Sequence, residues 1–244
     1  MQDLNGFHPA TRQFFARDSL VVGPELLGTV LARTDADGTV GIRLTEVEAY
    51  GGERDPGAHA FRGQTARTAS MFGEAGHVYC YFTYGMHHAV NLITGQVGQP
   101  YGCLVRAGEV VVGADLARAR REAKPRLRPL RDWELARGPA CVAQSLAATR
   151  VNDGDDLIDG EWRLWLPDDR GADDHGADVP GADVPGTDVP GTYTHSALPY
   201  ETGPRVGLSG PSGDGHAFPW RYWLPGEPSV SAYKPAAARK GRPA

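Results

Sequence analysis

Between Gly176 and Pro190 the chain repeats a five-residue unit three times: Gly-Ala-Asp-Val-Pro twice, then Gly-Thr-Asp-Val-Pro. Gly171 to His175 is a decayed further copy. A unit this short, acidic and rich in Pro and Gly has no apolar face to bury. The stretch from about 168 to 200 is therefore expected to be a disordered, solvated insertion. A calcium- or partner-binding role is the weaker alternative, because the ligand-rich Gly-Asp pattern of calcium β-helix repeats is missing. Any core must come from the sequence on either side.

Charge divides at the same place. The formal net charge is −5, but 13 acidic residues and only 2 arginines lie between Val151 and Glu201, leaving 23 basic and 17 acidic residues elsewhere. That remainder is a modestly basic body, compatible with a polyanionic partner. At 244 residues, 41% hydrophobic and 9% aromatic, the chain can fill one large soluble domain or two small ones. No apolar run approaches the roughly 18 residues of a membrane span. Met1-Gln2-Asp3-Leu4 does not open a secretory signal. Cys80, Cys103 and Cys141 fit no zinc spacing and read as buried thiols of a reducing cytoplasm.

Local signals punctuate the folded parts. Asp18 or Ser19 caps a helix running to about Leu27, with Gly28 as its stop. Strands are expected over Thr29 to Arg33 and Thr39 to Tyr50, joined by a hairpin turn at Asp35-Ala36-Asp37-Gly38. Gly51 to Ser70 is a polar, Gly-rich loop. Val78 to Tyr84 and His88 to Thr94 form an aromatic hairpin, followed by a strand over Gly102 to Ala107. Arg118 to Arg137 is expected to be helical in two pieces broken near Pro125 and Pro129, its arginines forming either a solvated face or, in part, contacts to a polyanion. Pro139 opens a further helix to Ala147. Strand character returns at Pro204 to Leu208 and Trp220 to Trp223.

The residues able to carry chemistry sit in two of these segments. In Leu44 to Tyr50, period two puts Glu46, Glu48 and Tyr50 on one face. A solvated face is the bland reading. An active-site strand is the sharper one, since it runs straight into a loop carrying Asp55, His59, Arg62 and Arg67. In Tyr79 to Met86, Tyr79 and Phe82 read as core residues, whereas Tyr84 stands at a Gly turn where a bulky ring projects. Such a tip has the shape of a wedge that unstacks base pairs from the minor groove. His59, His77, His87 and His88 could be drawn together around zinc, but they lack the spacing of a zinc motif, so no metal is expected.

These segments fall into a recognisable order. Glu46-Val47-Glu48-Ala49-Tyr50, His59 with Arg62-Gly63-Gln64-Thr65-Ala66-Arg67, Met71-Phe72, and Gly76-His77-Val78-Tyr79-Cys80-Tyr81-Phe82-Thr83-Tyr84-Gly85-Met86 come first. Asn91, Leu104-Val105-Arg106-Ala107, Gly138-Pro139, Arg205-Val206-Gly207 and Trp220-Arg221-Tyr222 follow. The chain resembles the 3-methyladenine (alkyladenine, methylpurine) DNA glycosylases over roughly residues 12–233, the insertion excepted. The resemblance implies a single mixed α/β domain (α+β) around a curved antiparallel sheet, with flanking helices and a protruding aromatic hairpin. It implies hydrolysis of the N-glycosidic bond of alkylated or deaminated purines flipped out of double-stranded DNA, by a cytoplasmic monomer without metal or organic cofactor.

Position by position, the resemblance makes Glu48 the carboxylate that activates the water and Arg106 the arginine that helps hold it. Tyr50 and His59 would stack on one face of the flipped base and Tyr81 on the other. Asn91 would crowd the exocyclic amine of undamaged guanine, and Tyr84 would fill the gap left in the duplex. No chemistry falls on Glu46, so Glu46→Gln is expected to be far milder than Glu48→Gln. The chemistry agrees with first principles: the sugar gains positive charge as the bond breaks, which a carboxylate offsets. An alkylated base is a cation suited to π-faces, and its bond cannot be reached inside a stack. Lysines occur only at Lys124, Lys234 and Lys240, outside these segments, so a Schiff-base lyase step is not expected. Thr68 stands where the family commonly has Asn, and Cys141 where it commonly has a phosphate-contacting Lys. A hydrolase of free purine nucleosides and a non-catalytic DNA-damage binding protein are the competing readings. The first would not need Tyr84 or the arginines, and the second would not need Glu48 and Arg106.

Overall fold

Gly and Pro interrupt nearly every apolar run, which favours short strands closed by tight turns over long helices. The computed structural model describes residues 4–83, 85–168 and 198–235. Its strands are β1 (Phe7–Pro9), β2 (Val30–Asp35), β3 (Gly38–Tyr50), β4 (Val78–Thr83), β5 (His87–Thr94), β6 (Tyr101–Val112), β7 (Ala136–Arg137), β8 (Trp162–Pro167), β9 (Glu201–Gly203) and β10 (Arg221–Trp223). One antiparallel sheet runs in the order β1-β8-β2-β3-β6-β5-β4, with β10 pairing β3 and β9, and β7 pairing β6. Helices α1 (Arg12–Phe15), α2 (Ser19–Glu25), α3 (Ala114–Arg121) and α4 (Pro139–Ser145) accompany it. The mixed α/β architecture around an antiparallel sheet, implied by the resemblance, is the one adopted. The acidic repeat and Tyr84 lie outside the described residues.

Strand β3 is the axis of the sheet. The β2–β3 hairpin closes with Asp35 opposite Gly38, so Ala36-Asp37 is its two-residue turn. Strand β6 holds one edge of β3 from Gly41 to Tyr50. Along the other edge, β2 pairs as far as Arg43 and β10 takes over opposite Glu46 to Glu48. Two irregularities fall where these partners change. Leu44 faces Gly108 and Glu46 faces Ala107, which leaves Thr45 without a rung; Val47 then faces Val105, which leaves Arg106 without one. A bulged residue is released from strict alternation, and its side chain is re-aimed. Arg106 is such a residue.

The main core packs Phe14, Phe15, Val22 and Leu26 from α1, α2 and the turn after α2 against Ile42, Leu44, Val47 and Val105 of the sheet. Complete burial of each such side chain contributes about 1.5–3 kcal/mol. Helix α2 starts as the sequence predicts, with the Asp18 carboxylate accepting from the Leu20 N–H at 2.9 Å. It is followed by Gly28 at φ +82°, a backbone position that favours glycine. Cys80 and Cys103 are buried and Cys141 is half-buried.

Three expectations are corrected. Helix α3 ends at Arg121, where the expected helical stretch had barely begun, and only a short turn at Asp132–Glu134 follows. Pro125 and Pro129 exclude a continuous ladder there. Pro204 to Leu208 is not a strand; β9 precedes it and ends at Gly203. The Val206 N–H donates to a side chain instead of a neighbouring strand. Phe82, read as core, is 46% exposed beside His88.

The arginines of this region are largely engaged within the fold. Arg118 pairs with Asp132, Arg120 with Asp35, and Arg128 with Glu134, while buried Arg121 donates to the Leu135 carbonyl. Arg126 and Arg137 donate to the Arg121 and Val230 carbonyls, and Arg131 lies beside Glu134, which accepts from its backbone N–H at 2.9 Å.

Candidate active site

The second half of β3 brings the carboxylates inward. Glu46 is 1% and Glu48 0% exposed, so the solvated-face reading of this strand does not hold. Burying two carboxylates demands partners, and the sheet supplies them. Glu48 Oε1 accepts from the Val206 N–H at 2.6 Å and lies 3.3 Å from Arg106 Nη1. Glu48 Oε2 accepts from the Tyr50 hydroxyl at 2.8 Å. Arg106 Nε and Arg221 Nε each donate to Glu46 Oε1 at 2.7 Å. Burial alone would lower the Arg106 guanidinium, but Glu48 and Glu46 beside it raise it, so it stays cationic. Burial and the Glu48 charge push the Tyr50 phenol well up, so it remains a hydrogen-bond donor.

Beside this cluster lies a cavity of about 440 Å³, within the range of small-ligand sites. Tyr50, His59, Tyr81, Asn91 and Arg106 all line it, and Glu48 reaches it through contacts with Tyr50, Arg106 and Val206. All described site candidates therefore meet in one place. Tyr84 lies outside the described residues; Met86, beyond the turn, is 70% exposed.

One wall is aromatic because residues i and i+2 of β4 share a face. The Tyr79 and Tyr81 rings stack 5.3 Å apart, and the His59 ring meets Tyr81 edge-on at 4.5 Å. The Tyr79 hydroxyl lies 3.1 Å from His59 Nδ1. With that hydroxyl donating, the neutral imidazole carries its proton on Nε2. Asn91 Nδ2 donates one of its two N–H groups to the Tyr79 carbonyl at 3.1 Å, which ties the amide to β4 at the cavity wall.

His59 is pushed down to about 4, first by desolvation and then by the nearby Arg67 cation. Its ring is accordingly neutral at pH 7. Whatever stability this environment supplies is complete above the ordinary value of 6.5 and is lost as pH falls toward 4. An NMR titration is expected to find the His59 midpoint near 4, and Arg67→Ala to move it upward. A midpoint unaltered by that substitution would remove the electrostatic part of the explanation.

Behind Tyr50 stands a buried ion pair that sequence reasoning passed over. Arg205 and Asp55 pair through two contacts of 2.5 and 2.7 Å, and both side chains are 0% exposed. Asp55 also accepts from the Gly51 and Gly57 N–H groups, and Arg205 donates to the Ala49 carbonyl. The Arg205 guanidinium lies 4.5 Å from the Tyr50 ring centroid and 5.1 Å from that of Trp220. Glu46, Asp55, Tyr79, Val206 and Arg221 thus join the site. The Arg205-Val206-Gly207 and Trp220-Arg221-Tyr222 motifs signalled the last two without giving them a role.

Comparison with known proteins bears on this arrangement. A family model described as methylpurine-DNA glycosylase matches residues 13–228. A protein of Streptomyces avermitilis named "Putative 3-methyladenine DNA glycosylase" is 45% identical over 237 residues, covering 96% of each chain. Proteins of the same name from Leifsonia xyli subsp. xyli and Burkholderia orbicola are 46% and 40% identical. These matches cover 94% and 92% of this chain and 95% and 91% of theirs.

Proposed function

Because the chain belongs to the methylpurine-DNA glycosylase family, and is a DNA glycosylase with DNA as its substrate, we propose that it hydrolyses the N-glycosidic bond of damaged purines everted from duplex DNA. The observation that carries this reading is the buried Glu48 carboxylate, fixed by Val206, Tyr50 and Arg106 at the edge of an aromatic cavity. A water placed against Glu48 attacks C1′ of the deoxyribose and gives its proton to the carboxylate. The glycosidic electron pair leaves with the base, so a ring-alkylated cationic purine departs neutral. Tyr50, His59 and Tyr81 offer π-faces to that base, and the neutral His59 adds no like charge.

The remaining assignments belong to the same proposal. Asn91 limits entry of undamaged guanine, and Tyr84 fills the vacated stack. Release is hydrolytic only, without strand cleavage: no lysine is among the described residues that line the cavity. The enzyme acts as a cytoplasmic monomer.

Base release from duplexes carrying 3-methyladenine, 7-methylguanine, hypoxanthine or ethenoadenine, run beside the matching free nucleosides, tests the reading. Release from at least one duplex, with little from its nucleoside, is expected. Equal rates on both would favour nucleoside hydrolysis. Tight lesion binding without release would favour a damage-binding protein.

A further inference from the structure

We propose that Glu46 is a positioning residue for the reaction: it holds Arg106 off full pairing with Glu48, so that the Glu48 carboxylate keeps a lone pair for water. This rests on Glu48 acting as the base in the reading above.

The contact lengths carry the idea. Arg106 Nε is 2.7 Å from Glu46 Oε1, whereas its nearest contact to Glu48 is the longer 3.3 Å from Nη1 to Oε1. The guanidinium thus places its tight bond on Glu46 and its loose one on Glu48. Arg221 faces Glu48 across the β10–β3 rung, yet it too donates to Glu46 Oε1, with its Nη2 on the Ser231 carbonyl at 3.0 Å. Glu46 Oε2 is buried without a hydrogen-bond partner, a costly arrangement that needs a reason. One carboxylate oxygen therefore draws two cations away from the neighbouring base.

Guanidinium and carboxylate groups pair preferentially through two parallel hydrogen bonds. In a buried, weakly screened site that preference is strong. Without the Glu46 anion, Arg106 would turn both its arms onto Glu48. Glu48 Oε1 already accepts from Val206 and Oε2 from Tyr50. A two-armed Arg106 would occupy the remaining acceptor site on Oε2, the one a reacting water needs. The bulge at Arg106 lets this choice be made, because the side chain is not bound to one face of β6.

The test compares single-turnover base release and lesion-duplex affinity in the parent, Glu46→Gln, Glu46→Asp and Glu46→Gln/Arg221→Met. The double variant removes one buried cation together with the anion, so the cluster stays neutral. Glu46→Gln and the double variant are expected to release base about 10–100-fold more slowly, the size of effect seen when a partner that orients a metal-binding side chain is removed. Affinity should stay at the parental level, and Glu46→Asp, which keeps the charge, should recover part of the rate. Parental release by the double variant would show that Glu46 serves charge balance alone and would overturn the proposal. If Glu46→Gln does not fold, the other two variants decide, and parental rates in both overturn it equally. A parent that releases no base from any lesion duplex would instead overturn the assigned reaction, a distinguishable result.

Discussion

Glu48→Gln is expected to lower single-turnover base release by at least about 10²–10⁴-fold, the range for a lost general base, while lesion-duplex binding survives. The geometry makes this substitution unusually clean. A glutamine has the same reach, so its amide oxygen can still accept from the Val206 N–H where Oε1 now does. Its amide nitrogen can donate to the Tyr50 hydroxyl, which then acts as acceptor in place of donor. Both ends of the new side chain keep a partner, but nothing remains to take a proton from water. On the reading proposed above, affinity comes mainly from the His59 and Tyr81 rings and from surface cations, which the substitution does not touch. Near-parental release by this variant would move the catalytic role to another acid.

The second large effect is on stability. Asp55→Ala is expected to destabilise the fold by about 3–5 kcal/mol, because it leaves the Arg205 charge buried without its partner. Both side chains are completely enclosed, and Asp55 additionally accepts from the N–H groups of Gly51 and Gly57. The carboxylate therefore joins the start of the Gly-rich loop to the segment carrying Val206. Denaturant unfolding should show a lower midpoint at similar slope. A loss below about 1 kcal/mol, the size of an exposed pair, would mean that water reaches Arg205 freely. Base release should also fall in the folded fraction, since Arg205 backs the Tyr50 ring and precedes the Val206 donor.

Much of this was legible in the sequence because the signals were local. The Asp18 cap, the turn after Asp35 and the Pro139 start all depend on residues close in the chain, and each formed nearly where expected. Glu48, Tyr50, His59, Tyr81, Asn91 and Arg106 were nameable because they sit in motif runs that the resemblance could align. What could not be read depends on pairings across long separations. Glu46 looked idle because nothing near it in sequence reveals that Arg106 and Arg221 converge on it. Bulges at Thr45 and Arg106 are likewise invisible without knowing which strand lies opposite. Arg118, Arg120 and Arg128 looked like a free cationic face because their acidic partners are recognised only once the chain is folded. Tyr79 read as packing, and it does pack, but its hydroxyl reaches His59.

The takeover of β3's edge by β10 has a consequence for the order in which the protein becomes active during synthesis. Asp55 receives Arg205, Glu48 receives Val206 and Glu46 receives Arg221 from 150, 158 and 175 residues downstream. Until those residues leave the ribosome, Asp55 has no cation, and Glu46 and Glu48 have only Arg106 between them. Loop closure over such spans is slow relative to local hairpin formation. A nascent chain that has passed the β4–β5 hairpin but not β10 therefore holds the cavity's aromatic residues beside an unfinished acid cluster. A product truncated within the acidic repeat would leave Asp55 without its cation and two carboxylates sharing one, and would be a target for proteolysis. It would not persist as a lesion-binding fragment that shields damage from repair.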